Sequence, residues 1–128
     1  MKKITLLLVI IFTFLFSNTS WGDWSYVTES VLGKFYYDKD RVRKSGKYIY
    51  FWTLIDYLKP EKGSLSLTSY TELDCSIFRF KNLKLQTYKY SMGVGEMIGD
   101  YTPPNEWKYP QPDSVGETLY NKICEEHQ

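Results

Sequence analysis

The sequence predicts a mainly β, α+β domain: a single antiparallel sheet of about five to six strands, with one C-terminal helix packed on a sheet face and tied there by a disulfide. Three observations predict it. Alanine, the strongest helix former, is absent from all 128 residues, while aromatics make up 18% of the chain with 12 Tyr and 4 Trp. Several runs alternate, or are apolar on both alternation sets, in the manner of strands, and turn residues separate them. Only one stretch, at the C-terminus, combines a helix cap with apolar residues every fourth position.

The elements follow in chain order. Met1-Lys2-Lys3, the apolar run Ile4 to Phe16 and the small residues of Ser20-Trp21-Gly22 read as a secretory signal, cleaved between Gly22 and Asp23. The run is too short to span a bilayer, which takes about 20 apolar residues, and it is apolar on every face, unlike an amphipathic surface helix. Residues 17–23 contain no cysteine, so no lipid anchor is expected. One domain, residues 23–128, remains. Trp24 to Thr28 and Lys34 to Tyr37 read as short strands, and Lys44-Ser45-Gly46 as a turn. Lys47 to Tyr57, apolar on both alternation sets, reads as a central strand covered on both faces. Lys59 to Gly63 is the next turn, with Pro60 at its first corner. Leu65 to Asp74, Cys75 to Phe80 and Leu83 to Tyr90 continue an antiparallel meander, broken at Lys81-Asn82.

Gly93, Gly95 and Gly99 mark a turn or bulge; no strand-to-helix transition follows them, so they do not form a phosphate-cradling loop. Tyr101 to Pro112 holds four of the five prolines and reads as an extended connector. Ser114 and Glu117 then form a capping box, and Val115, Leu119 and Ile123 make one apolar stripe with Cys124 beside it. A helix of about 12 residues is marginal alone. An even cysteine count in an exported chain points to a Cys75–Cys124 bridge, which closes a loop of about 50 residues and contributes roughly 4 kcal/mol in the chain-entropy model.

Charge and chemistry exclude several functions. Loss of residues 1–22 removes Lys2 and Lys3 and no acid, leaving one more acidic than basic residue, so neither nucleic acid nor anionic lipid is an expected partner. Two cysteines and the single His127 make a poor metal site. No nucleophile–base pair can be assembled around a histidine next to the chain end, where chains fray. The carboxylate pairs Glu72/Asp74 and Asp38/Asp40 read as solubilising. The expectation is a protein that is not an enzyme and uses no cofactor. Tyr36, Tyr37, Tyr48, Tyr50, Tyr57, Tyr88, Tyr90, Tyr101, Trp107 and Tyr109 are the one feature in excess. They either fill the core and both strand faces or form a binding platform. The charged run Asp38 to Lys44 reads as a solvated loop.

Taken together, Trp24, Tyr37-Asp38, Gly46, the run Phe51-Trp52-Thr53-Leu54-Ile55-Asp56-Tyr57, Asp74-Cys75, Arg79, Tyr88, Met92-Gly93-Val94-Gly95-Glu96, Trp107, Pro112-Asp113-Ser114 and Cys124 form an ordered set. The set resembles the surface-adhesin protein E family of Gram-negative bacteria over essentially the whole mature chain. The resemblance implies a single antiparallel sheet with a C-terminal helix held by a disulfide, consistent with the reading from the residues. It further implies a non-enzymatic domain at the bacterial surface that binds host extracellular-matrix or serum proteins, with a homodimer compatible. The rival reading is a soluble periplasmic envelope protein with no adhesive role. No ligand-binding residue transfers through the resemblance; the cysteine pair does.

Overall fold

The computed structural model describes residues 23–128. The expected signal, residues 1–22, lies outside the described residues, and with it Gly22 of the expected cleavage point. Seven strands and one long helix follow in order: β1 (Trp24–Glu29), β2 (Gly33–Asp38), β3 (Arg43–Ser45), β4 (Tyr48–Glu61), β5 (Ser64–Asp74), β6 (Arg79–Tyr88), β7 (Met97–Tyr101) and α1 (Val115–His127). The strands form one antiparallel sheet in the order β1-β2-β4-β5-β6-β7. The strands β2 and β3 share one edge of β4, β2 against Thr53–Tyr57 and β3 against Tyr48–Tyr50.

Register decides what each face carries. On one face, Ile49 lies opposite Leu73 and Leu73 opposite Phe80, and the next row joins Phe51, Thr71 and Asn82. Helix α1 covers this end of the sheet, burying Leu119, Tyr120 and Ile123 against Tyr37, Ile49, Phe51 and Leu73. The Tyr120 ring lies 4.7 Å from Phe80 and 6.0 Å from Phe51, centroid to centroid. The cap forms as read from the sequence: Ser114 Oγ accepts from Glu117 N at 3.1 Å. The Glu117 carboxylate accepts in turn from Asp113 N at 3.2 Å, one residue earlier than the ideal box. At the other end of α1, Tyr37 donates its hydroxyl proton to the Glu126 carboxylate. The His127 ring packs edge-on against Tyr37 at 5.8 Å, so the chain end is held rather than frayed.

The bridge joins Cys75, just past the end of β5, to Cys124 in the third turn of α1, with 5.9 Å between their Cα atoms. Asp74 positions it. Fully buried, its carboxylate accepts from Ser76 N (3.1 Å), Ser76 Oγ (2.6 Å) and Arg79 Nε (3.1 Å), which closes the turn that carries Cys75. The Ser76 hydroxyl and then the Arg79 guanidinium outweigh burial and hold this carboxyl below the usual range.

Several expected boundaries move. Seven strands replace the expected five to six because Arg43–Ser45 and Met97–Tyr101 add short edge strands. Cys75 to Phe80 was expected as a strand, yet residues 75–78 form a turn and pairing resumes at Arg79. Lys81-Asn82 does not break the chain: β6 runs through it, and the partner jumps from Asn82 to Lys84 between Thr71 and Tyr70, which makes Leu83 a bulge. The turn after β4 is the pair Lys62-Gly63, both at positive φ (49° and 83°), as a two-residue type I′ hairpin requires. Pro60 lies within the strand in a stretch of β4 without β5 partners, where a missing N–H costs nothing. The strands β2 and β4 approach so closely at Gly33 that a Cβ there would meet Asp56 O at 2.1 Å.

Replacing both cysteines, Cys75→Ser with Cys124→Ser, is expected to lower the unfolding free energy by about 4 kcal/mol, read from urea denaturation. An unchanged midpoint would mean that the helix holds to the sheet without the bridge.

Candidate functional site

The opposite face of the sheet collects a different set of residues. A row of directly paired positions runs across four strands: Arg43 on β3, Tyr50 on β4, Glu72 on β5 and Lys81 on β6. Beside it, Tyr48, Asp74 and Arg79 form one flanking row, and Trp52, Tyr70 and Lys84 the other. Alternation along β4 puts Tyr48, Tyr50 and Trp52 on one face while Ile49, Phe51 and Thr53 take the other, so a strand apolar in both sets presents amphipathic rings on the side that α1 does not cover.

The rings touch in two groups. Tyr50 stacks on Tyr70 at 6.2 Å, and Tyr70 lies 5.0 Å from Trp52. Trp107, delivered by the connector, lies 5.5 Å from Tyr48. A backbone bridge between Phe80 and Lys108, with both N–H···O bonds at 2.8 Å, fixes that stretch of connector to β6. Cations lie on the ring faces: the Arg43 guanidinium 4.8 Å over Tyr50, Arg79 4.2 Å and Lys81 4.4 Å over Trp107, and Lys47 5.4 Å over Tyr48. The hydroxyl of Tyr50 donates to Glu72, and this bond, then burial, pushes the Tyr50 phenol up to about 12.

Between the central row and the connector runs a groove of about 360 Å³, lined by Tyr50, Glu72 and Lys81 from the sheet and Thr102, Pro103 and Asn105 from the connector. At the far end of the same face the loop after β6 folds back over the sheet and closes it. There Gly93 N donates to Ser66 Oγ (2.8 Å), Ser66 Oγ donates to Tyr90 O (2.6 Å), and Met92 N donates to Asp56 Oδ1 (3.0 Å). Leu54 is fully buried in this region.

The tyrosines singled out from the sequence divide between the two roles. Tyr48, Tyr50 and Trp107 come together on the open face, whereas Tyr37 is fully buried in the core. Tyr36 pairs edge-on with Tyr26 at 5.9 Å, and Tyr88 lies on the open-face side near the sheet end. Tyr57 and Tyr101 flank a depression on the helix-bearing face beyond α1, and Tyr109 borders an apolar groove beside the helix start. Tyr90 is in the folded-back loop. Trp52 and Tyr70, read only as strand residues, belong to the site. Their signal was the spacing of Tyr48, Tyr50 and Trp52 along β4, but placing Tyr70 opposite Trp52 required the register of the β4–β5 pair, which shifts between Asp56 and Glu61.

The charged run is more structural than a solvated loop. Asp38 is buried, accepts from Asp40 N at 3.1 Å and takes the Arg41 guanidinium, which shapes the turn between β2 and β3. Among the described residues no three His, Cys, Asp or Glu side chains gather as a metal site requires. No helix of the described residues is long and apolar enough to cross a membrane.

One antiparallel sheet, a disulfide-tied helix on one face and an open aromatic–cationic face on the other define a class of single-sheet domain. Residues 24–125 match the family described as Surface-adhesin protein E, and the chain belongs to that family. Among solved structures, crystal form II of Haemophilus influenzae protein E superposes with a TM-score of 0.67 at 14% identity, over 84% of this chain and 91% of that one. A second Haemophilus influenzae protein E structure gives 0.65 at 15% identity, over 84% and 88%. Protein E from non-typeable Haemophilus influenzae gives 0.62 at 14%, over 84% and 79%. At this identity the likeness is one of fold. No curated protein sequence matches the chain.

Because the folded phenol of Tyr50 titrates above its ordinary value, the stabilisation from its bond to Glu72 is present below about pH 10 and lost as the pH rises through about 12. Glu72→Gln is expected to bring the Tyr50 transition back toward 10, read as the Tyr50→Phe difference in ultraviolet phenolate absorbance; an unmoved transition would remove Glu72 as its cause.

Proposed function

We propose that the chain is an exported, non-enzymatic binding module of the surface-adhesin type, whose partner proteins belong to the host matrix or serum or to the cell envelope. The observation that carries the reading is the open face itself. Five aromatic rings, Tyr48, Tyr50, Trp52, Tyr70 and Trp107, are gathered on the side of the sheet without a helix, with cations over Tyr48, Tyr50 and Trp107. Tyr, Trp and Arg dominate protein-binding hot spots because they give large rigid contact area with a polar handle. Membership of the surface-adhesin protein E family supports the same reading. Under it, residues 1–22 are the export signal, Gly22–Asp23 the cleavage point, and residues 23–128 the adhesin domain that reaches the outer surface. Three carboxylates of the pairs read from the sequence as solubilising have structural partners: Asp74 builds the turn beside the disulfide, Asp38 the turn after β2, and Glu72 holds Tyr50.

Protease shaving of intact cells, with a periplasmic protein as leakage control, is expected to release peptides from residues 23–128. Protection until the outer membrane is opened would overturn surface display and leave a periplasmic envelope protein of this fold. In a solid-phase assay on immobilised matrix and serum proteins, Tyr50→Ala with Trp52→Ala is expected to weaken binding by about tenfold or more while circular dichroism stays native. Undiminished binding by that folded variant would place the contact elsewhere on the domain.

A further inference from the structure

We infer that the groove beside Tyr50 is a saccharide subsite, and that the open face recognises its partners through acidic sugar units, carboxylated or sulfated. The inference rests on the reading of that face as the binding surface and deepens it. Three features of the face select this chemistry.

The first is unneutralised positive charge. Arg79 and Lys84 pair with Asp74 and Asp100, but Arg43, Lys47 and Lys81 form no ion pair among the described residues and lie on rings instead. Lys81 is the cross-strand neighbour of Glu72, yet its ammonium turns onto Trp107. A cation over a ring keeps its outer side hydrated and its charge unspent, so a row of them attracts an anion. This local excess stands out on a domain that as a whole has one more acid than base.

The second is the composition of the groove. The 360 Å³ trough lies at the small end of ligand-sized clefts, and its walls mix the Lys81 cation and the Tyr50 ring with the Glu72 carboxylate, the Asn105 amide and the Thr102 hydroxyl. Glu72 takes the Tyr50 hydroxyl on Oε2, which leaves Oε1 to accept from a ligand. An acceptor carboxylate in the middle of a cationic row repels a plain polyanion such as a phosphodiester or a polyacidic peptide. It suits a ligand that brings hydroxyl donors along with its acid groups.

The third is shape. The rings of Tyr48, Tyr50 and Trp52 repeat every second residue of one strand, about 7 Å apart. Half-buried, with Trp107 packed on Tyr48 and Tyr70 stacked on Tyr50, they leave part of each ring for the C–H face of a sugar, and the cationic row crosses them at Tyr50.

Titration calorimetry of the purified, oxidised protein with four probes tests this: a hyaluronan oligosaccharide carrying carboxylates only, a heparin oligosaccharide rich in sulfate, neutral dextran, and polyglutamate as a plain polyanion. At least one acidic saccharide is expected to bind and to weaken by about tenfold or more between about 50 and 200 mM salt, with dextran silent. Which acidic saccharide binds separates carboxylate from sulfate recognition. Arg43→Gln with Lys81→Gln, the first exposed and the second half-buried, is expected to weaken that binding by about tenfold or more with an unchanged melting curve. No binding of either acidic saccharide, dextran binding equally well, an unaffected double variant, or polyglutamate binding as tightly as the saccharides would each overturn the inference. If the saccharides fail while matrix-protein binding still depends on Tyr50 and Trp52, the acidic-sugar inference falls and the binding face stands. If both fail, so does the face.

Discussion

The constraint on which the molecule depends is that β4, a strand apolar in both alternation sets, must be sheltered on two sides while the described residues offer one α-helix. Helix α1 covers Ile49 and Phe51, and the loop after β6 covers Leu54 on the other side. Neither reaches Tyr48, Tyr50 and Trp52. These positions are filled by side chains that tolerate water at one end, and they shelter one another by stacking across the sheet with Tyr70 and under Trp107. The open aromatic face is thus the direct consequence of where the covering elements stop.

The covering helix has its own dependence. Thirteen residues in water are marginal, and the apolar stripe of α1 is short. Three attachments spread along it compensate: the Ser114 cap at the start, Cys124 in the third turn, and the Glu126–Tyr37 bond at the end. The middle one works because buried Asp74 fixes the turn beyond β5, so Cys75 is presented by a rigid corner rather than by a loop. Arg79 ties the two faces together. It closes the Asp74 turn on which the disulfide relies and at the same time lies over Trp107 on the open face. Helix anchoring and face assembly therefore share a residue.

Much of this architecture was legible in the sequence because it follows from local rules. The S-x-x-E cap, the fourfold stripe and the doubly apolar strand each act within one element, and two cysteines allow only one intramolecular bridge. The face was less legible because it is made of register. Trp52 faces Tyr70, and Tyr50 faces Glu72, only because the register shifts between Asp56 and Glu61; a hairpin closed at Lys62-Gly63 without that shift would set Trp52 opposite Leu73. The bulge at Leu83 is hidden for the same reason: Lys81-Asn82 has the composition of a turn, but its neighbours on β5 keep it in the ladder. Asp38 and Asp74 looked like solvated charges because their buried hydrogen bonds come from residues two to five positions on, in turns whose shape the carboxylates themselves create.

A flat, ring-rich sheet face ordinarily invites aggregation, and this domain meets that hazard in an informative way. Nature could have closed the face with a second helix or neutralised it with ion pairs along the strands. Instead the cations lie on the rings, which hydrates the aromatic surface without covering it and leaves Arg43, Lys47 and Lys81 without acidic partners among the described residues. An exposed ring–cation contact is worth only about 0.5–1 kcal/mol, so these side chains can swing away from their rings at little cost. A face that is open because the covering elements stop short of it therefore gives up little when a ligand takes the place of its own cations, which is what the binding role proposed for it requires.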